Sequence, residues 1–251
     1  MRRERYDEWA FDERDHEPDR VTHLVFVDGR LAETWTEPVE GSRWEALTER
    51  WSAPRRPDPP PRPPQHVQIL EWLDEVCGGR AAVLALDEER LEDDGTDLPD
   101  AGDRAAQRRL AETWAALERV TARGLAGEGA VALRRALVRT WERDPWAVTS
   151  PPTPEHLAGG LVWAVGKANL LLHPASPLTQ RQLGEQIGLR GPLSSSGHLV
   201  VHALGGRVHH WSEPFGVPRL LPLGHADLLV SGVRRRLVRL RERALSDAEA
   251  A

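Results

Sequence analysis

The reading of the fold turns on Leu178–Leu204, LTQRQLGEQIGLRGPLSSSGHLVVHAL. Thr179 and Gln182 make a T-x-x-Q capping box, in which each side chain satisfies the other residue's free backbone amide. Leu183 and Ile187, with Leu178, supply an inward face. Gly188 ends this helix, because glycine enters the left-handed conformation without a steric penalty. A second helix is expected to begin near Pro192, with Leu193, Val200 or Val201, and Leu204 turned inward. Short helix, glycine-containing turn and second helix are the parts of a helix-turn-helix. In its DNA-binding version the second helix enters the major groove and sets its N-terminal side chains on base edges. Here that helix carries no Arg or Lys. Its hydrogen-bonding groups are Ser194, Ser195 and His198, and the cations Arg181, Arg190 and Arg207 only flank it.

The preceding stretch, TPEHLAGGLVWAVGKANLLL, opens with Thr153 as cap, Pro154 at the first helical position and Glu155 in the first turn. Leu157, Leu161, Val165, Ala168 and Leu172 line one face, and Val162, Trp163 and Leu170 make the remainder apolar. Such a helix belongs at the centre of a helical domain. Its one uncharged polar residue in the final turn, Asn169, is read as a buried group tying the helix to a neighbouring loop.

Two motifs here carry a family resemblance: Ala-x-x-x-Ala-Asn-x-Leu over Ala164–Leu171, and L-T-Q-x-x-L-x-E-x-x-G-L over Leu178–Leu189. Over about residues 153–205 the chain resembles an uncharacterised bacterial domain family, a domain of unknown function with a helix-turn-helix-like core. That family is similar in turn to the cyclin-type repeats of general transcription factor IIB. The resemblance implies a helical fold and association with DNA or a promoter complex, and it transfers no activity. Where such families continue S-x-x-T-V-S with basic residues, this chain reads RGPLSSSGHLVVHAL.

Cations are denser near the C-terminus, in SGVRRRLVRLRERAL, with Arg234, Arg235, Arg236, Arg239, Arg241 and Arg243. Taken alone this is a solvated amphipathic helix packing Val233, Leu237, Leu240 and Leu245 inward. Beside a helix-turn-helix, Arg234, Arg235, Arg236 and Arg239 become a clamp for DNA phosphates. His198 and His202 share a helix face and His209 and His210 follow. Zinc could use such a set, but residue 199 is leucine where a zinc protease would place glutamate, and no third ligand is evident. They read as ordinary histidines. Ser194–Ser196 lack a nucleophile elbow, and there is no P-loop or dinucleotide fingerprint. Neither cofactor nor metal is expected.

Toward the N-terminus, residues 1–20 read as a disordered arm. Asp28-Gly29 between apolar runs signals a β-hairpin with a type I′ turn. GSRWEALTERW reads as a short helix capped by Ser42 and Glu45, with Trp44, Leu47 and Trp51 on one face. The proline-rich segment at 54–64 reads as a stiff linker, or as a polyproline ligand for an aromatic groove. HVQILEWLDEVCGG is an amphipathic helix ending at Gly78-Gly79, with Cys77 as a small buried hydrophobe. RAAVLALD is expected to be a buried strand and DEERLEDDGTDLPDAGD an acidic surface loop without the calcium-loop pattern. Helices follow at about Arg104–Arg123 and Glu128–Arg143. The prolines of DPWAVTSPPTP place a domain boundary there, giving an α+β region at 21–150 and a helix-turn-helix-like helical domain at 151–251. The fold class expected is α+β and predominantly helical, with a small N-terminal sheet.

Composition bounds what such a protein does. Hydrophobic residues make up 40% and charged residues 29%, ordinary for a folded domain. No signal peptide is read at the N-terminus and no apolar run is long enough for a membrane span. A single cysteine, Cys77, excludes an internal disulfide, so a cytoplasmic setting is expected. The net charge of −6 is uneven: residues 1–100 carry −13 and residues 151–251 carry +4. The C-terminal part could therefore attract nucleic acid that the whole chain does not. The expected function is a non-enzymatic, DNA-associated, transcription-regulatory protein. The alternative is a protein–protein interaction module on the same scaffold without DNA binding.

Overall fold

The computed structural model describes residues 20–45, 63–172, 179–207 and 214–250, and the chain divides into two compact units, 1–62 and 63–251. In the first unit, β1 (Arg20–Val27) and β2 (Arg30–Pro38) form the expected antiparallel hairpin. Asp28 and Gly29 both take positive φ, 50° and 77°, as a type I′ turn requires. A register shift at Val25/Phe26 marks a β-bulge. His23 stacks on Trp35 at a 4.5 Å centroid distance and meets the Glu37 carboxylate at 2.9 Å. Ser42 Oγ accepts from the Trp44 amide, while Glu45 accepts from Gly41, one residue ahead of the expected Ser42 amide. Leu47 and Trp51, the arm at 1–19 and residues 54–62 of the proline segment lie outside the described residues.

Among the described residues, the regular elements of the second unit are all helices. Its helices are α1 (Gln65–Cys77), α2 (Arg80–Ala85), α3 (Arg104–Thr121), α4 (Glu128–Arg143), α5 (Pro145–Thr149), α6 (Pro154–Ala168), α7 (Gln180–Ile187), α8 (Gly197–Ala203) and α9 (Ser231–Glu249). Helix α6 is buried from Leu157 to Ala168 except at Lys167, and packs against α3, α4, α7 and α8, which is the central position its apolar sequence predicts. Helix α9 packs on α1. The prolines near 150 turn out to open helices inside this unit. Pro145 follows the cap Asp144 and Pro154 follows Thr153, both at first-turn positions where proline costs no hydrogen bond. Ala147 and Val148 between them are fully buried. The boundary expected at 150 therefore falls inside one core, and the observed division lies at residue 62.

A second departure concerns RAAVLALD, expected as a strand. Arg80–Ala85 is a helix in which only Val83 is buried, and Leu84 is 60% exposed. Its stop is set from afar. The Arg241 guanidinium of α9 donates to the carbonyls of Val83, Leu84 and Leu86, groups a helix end leaves unsatisfied. Helix α6 also ends early, at Ala168, because Leu170 takes a positive φ of 57°.

Polar latches tie these helices to the loops. Asn169 is buried, and its amide donates to the carbonyls of Val165 and Leu228 and accepts from the Val230 amide at 2.7 Å, the loop-tying role its position implied. Glu128, in the first turn of α4, accepts from the amides of Ser231 and Leu91 and the Ser231 hydroxyl, so it caps α9 from another helix. Burial pushes its carboxyl pKa up, but the Ser231 and Leu91 hydrogen bonds with the Arg90 contact outweigh this and hold it below the usual glutamate range. The acidic loop is anchored by Asp93–Arg134, Asp94–Arg135 and Asp87–Arg234 pairs. Their carboxylates face solvent, which screens them, so these pairs fix the loop's path more than they stabilise the fold.

Candidate nucleic-acid interface

The segment Thr179–Leu204 forms two short helices, each held by identifiable contacts. The capping box of α7 is present in full: Thr179 Oγ1 accepts from the Gln182 amide at 3.2 Å and Gln182 Oε1 accepts from the Thr179 amide at 3.0 Å. Gly188 closes the helix at φ 90°, and Leu189 behind it is buried. Arg119 of α3 donates to the carbonyl of Ile187 at 2.6 Å, placing a cation at the negative end of the helix dipole, and lies 3.8 Å from Glu155. Leu183, Ile187, Leu193, Val200, Val201 and Leu204 are all essentially fully buried, as the sequence pattern requires. Leu178, read as part of that face, lies outside the described residues.

The second helix begins later than expected. After Pro192 comes a single 3₁₀ turn, Leu193–Ser195, and α8 starts only at Gly197. Glycine packing explains the offset. A Cβ at Gly160 would come 2.8 Å from the Ser196 carbonyl, and one at Gly197 would collide with the Trp163 ring. Two glycines thus let α8 lie hard against α6, at the cost of a longer connection than the three or four residues of a tight helix-turn-helix.

What faces outward is short and polar. On α8, His198 and His202 are exposed and Leu199 is half-buried; Ser195 is exposed, Ser194 half-buried, Arg190 exposed. Arg181 is 87% exposed and only 3.7 Å-paired to Glu185 on its own helix. The His198 ring packs 5.4 Å from Trp163, and Lys167 Nζ sits 5.8 Å over the same indole. Lys167, the chain's one lysine, is thereby brought beside α8. The sequence signal was the i, i+4 spacing of Trp163 and Lys167 on one helix face.

The other cations divide differently. Arg207 reaches Glu75 of α1 at 3.4 Å. Arg234 is 14% exposed and donates to Asp87 and to the Glu89 carbonyl, so it is a structural anchor and its place in the expected phosphate clamp is corrected. Its N-terminal neighbour on the helix, Ser231, is held by Glu128. Arg235, Arg236, Arg239 and Arg243 are exposed on α9 and form no ion pair among the described residues. Arg235 lines a cleft with Glu88, Arg90, Glu128 and Ser231. Arg236, Arg239 and Arg243 line a groove with Leu240 and Gly216–Pro218. Two sets of cations result, one carried by α6–α8 and one by α9.

No family model, curated protein or solved structure matches this chain.

The remaining reactive groups are accounted for. Cys77 is buried, and burial first, then the Asp74 carboxylate, pushes its thiol up to about 12, far from a reactive thiolate. Among the described residues no three His, Cys, Asp or Glu side chains converge as metal ligands. His209 and His210 lie outside those residues. Burial, then the nearby Arg139, lowers the pKa of His225, whose Nε2 lies 3.0 Å from the Leu204 carbonyl. No described helix is long and apolar enough to cross a membrane.

Proposed function

We propose that this chain is a non-enzymatic, DNA-associated protein of transcription-regulatory type. It would approach the duplex with the α7–α8 surface, where Arg181, Arg190 and Lys167 face phosphates and Ser194, Ser195 and His198 meet bases or backbone. The observation that carries this reading is the one-sided surface itself. The inward apolar residues of α7 and α8 are buried, while Arg181, Arg190, Ser195 and His198 are exposed, with Glu185 the one acid on the outer face of α7. Affinity of this kind rests on cations that release counterions from the duplex, so few base contacts and weak sequence preference are expected.

Fluorescence anisotropy on a labelled duplex at low salt tests the proposal. The Arg181→Glu, Arg190→Glu double variant should lose binding, whereas Arg207→Gln, which removes a cation already paired to Glu75, should retain most of it. Duplex binding indifferent to the double variant would refute the assignment of this surface.

A protein-docking role is the second reading. Leu24, Phe26, Val27 and Leu31 on the hairpin are each more than half exposed, and Trp35 is 43% exposed. A two-stranded sheet with uncovered apolar side chains is marginal alone in water. A stoichiometric complex that survives nuclease treatment, and is lost in Leu24→Ser with Phe26→Ser, would favour this reading.

A further inference from the structure

We propose that the groove between α9 and residues 216–218 binds a single strand of nucleic acid, with Arg236, Arg239 and Arg243 on its phosphates and Phe215 under a base. The proposal takes its ligand class from the nucleic-acid reading above but rests on a different surface. Three observations carry it.

The first is charge without a counterpart. Arg236, Arg239 and Arg243 stand at i, i+3 and i+7, one stripe on the helix surface, spanning about 10 Å at 1.5 Å per residue. All three are exposed, and none pairs with an acid among the described residues, Glu242 and Asp247 of the same helix included. Like charges at this spacing repel each other. A polyanion threaded along the stripe removes that repulsion. By contrast, the half-buried arginines of α9, Arg234 and Arg241, are engaged in holding the acidic loop and the end of α2.

The second is shape. The arginines sit in a groove walled by Gly216, Val217 and Pro218 and floored by Leu240. A duplex is read by a convex element entering its groove. A concave, cation-lined channel instead accommodates a strand whose backbone runs along it.

The third is the aromatic at its edge. Phe215 immediately precedes the groove wall and is 88% exposed, the most exposed large apolar side chain described. Its backbone is not loose, because its carbonyl accepts from Gln65 Nε2 at 3.1 Å. A ring held out on a pinned backbone, next to a cationic stripe, is the stacking platform on which single-strand binding relies, and it tolerates any base.

The test uses the full chain with labelled oligothymidylate of about 15 nucleotides and a duplex of equal length, across a salt series. Three phosphate contacts give a slope of log affinity against log salt near −2 for a single strand. The Arg236→Gln, Arg239→Gln, Arg243→Gln variant should abolish that slope and most of the affinity. Phe215→Ala should weaken binding on the order of tenfold, the stacking contribution of one base. Arg235→Gln removes the same charge from the same helix outside the groove and should leave single-strand affinity within about twofold. All these residues are exposed, so thermal melts confirm that each variant folds. Absence of oligothymidylate binding overturns the proposal, as does equal sensitivity to Arg235→Gln, or duplex binding that depends equally on the three groove arginines. Loss of duplex binding in the Arg181→Glu, Arg190→Glu variant, with oligothymidylate binding unchanged, supports two separate surfaces. Failure of duplex binding alone would sink the α7–α8 reading and leave the groove result standing.

Discussion

Changing Asn169→Ala isolates the latch between the central helix and the segment that leads into α9. The amide donates to Val165 and Leu228 carbonyls and accepts from the Val230 amide. The Val165 carbonyl keeps a second partner, the backbone amide of residue 169, so its loss is small. The Leu228 carbonyl and the Val230 amide have no such reserve. Each buried backbone group left unsatisfied costs about 1–3 kcal/mol, so with two such groups the variant should lose roughly 2–6 kcal/mol. For a chain of this size each kcal/mol lowers Tm by about 2–4 °C, so a drop of about 6–12 °C is expected for a 3 kcal/mol loss. Urea unfolding followed by circular dichroism measures the first quantity. Hydrogen exchange at Val230 localises it, because that amide should exchange much faster while those inside α6 do not. A loss below about 1 kcal/mol with Val230 exchange unchanged would refute the latch.

Other consequences follow from the same packing. Gly197→Ala drives a methyl into the Trp163 ring and should destabilise by about 1–3 kcal/mol in denaturant unfolding, whereas Gly191→Ala, with nothing within 4 Å, should be neutral. Glu128 has a folded pKa below its unfolded value, so the stability it adds is fully present above the unfolded pKa of about 4.3 and is lost as pH falls through the folded value. The stability gap between the wild type and Glu128→Gln should therefore be widest near neutral pH and close in acid; a gap constant from about pH 7 to 3 would contradict this. Cys77 should resist a thiol reagent in the native protein at neutral pH and react as one thiol per chain after unfolding; fast native labelling would show the thiol is not buried as described.

Local chemistry made much of the fold legible. Thr179, Gln182 and Gly188 bound α7, Thr153 and Pro154 start α6, and Asp28-Gly29 turns the hairpin, because in each case a few adjacent residues settle the backbone. The failures are tertiary. The five apolar residues of Arg80–Ala85 do not distinguish strand from helix by period, and the contact that ends this helix comes from Arg241, more than 150 residues on. Prolines near 150 signal a break equally well as a domain boundary or as helix starts, and only the burial of Ala147 and Val148 decides. At the candidate site, Ser195, His198, Arg181 and Arg190 are exposed as read. Arg234 is not, since its partner Asp87 lies in a distant acidic loop. Helical spacing separates Arg236, Arg239 and Arg243 into one stripe, but the wall that makes them a groove comes from residues 216–218, which no pattern in α9 announces.

DNA association is tested most directly by the affinity of the full chain for a labelled duplex of about 20 base pairs between about 50 and 200 mM salt. Lys167, Arg181 and Arg190 acting together predict detectable binding at the lowest salt, with a log–log slope of about −3. Arg181→Glu with Arg190→Glu should bring that slope to about −1. No binding at the lowest salt, or a slope the double variant leaves unchanged, would contradict DNA association through α7 and α8.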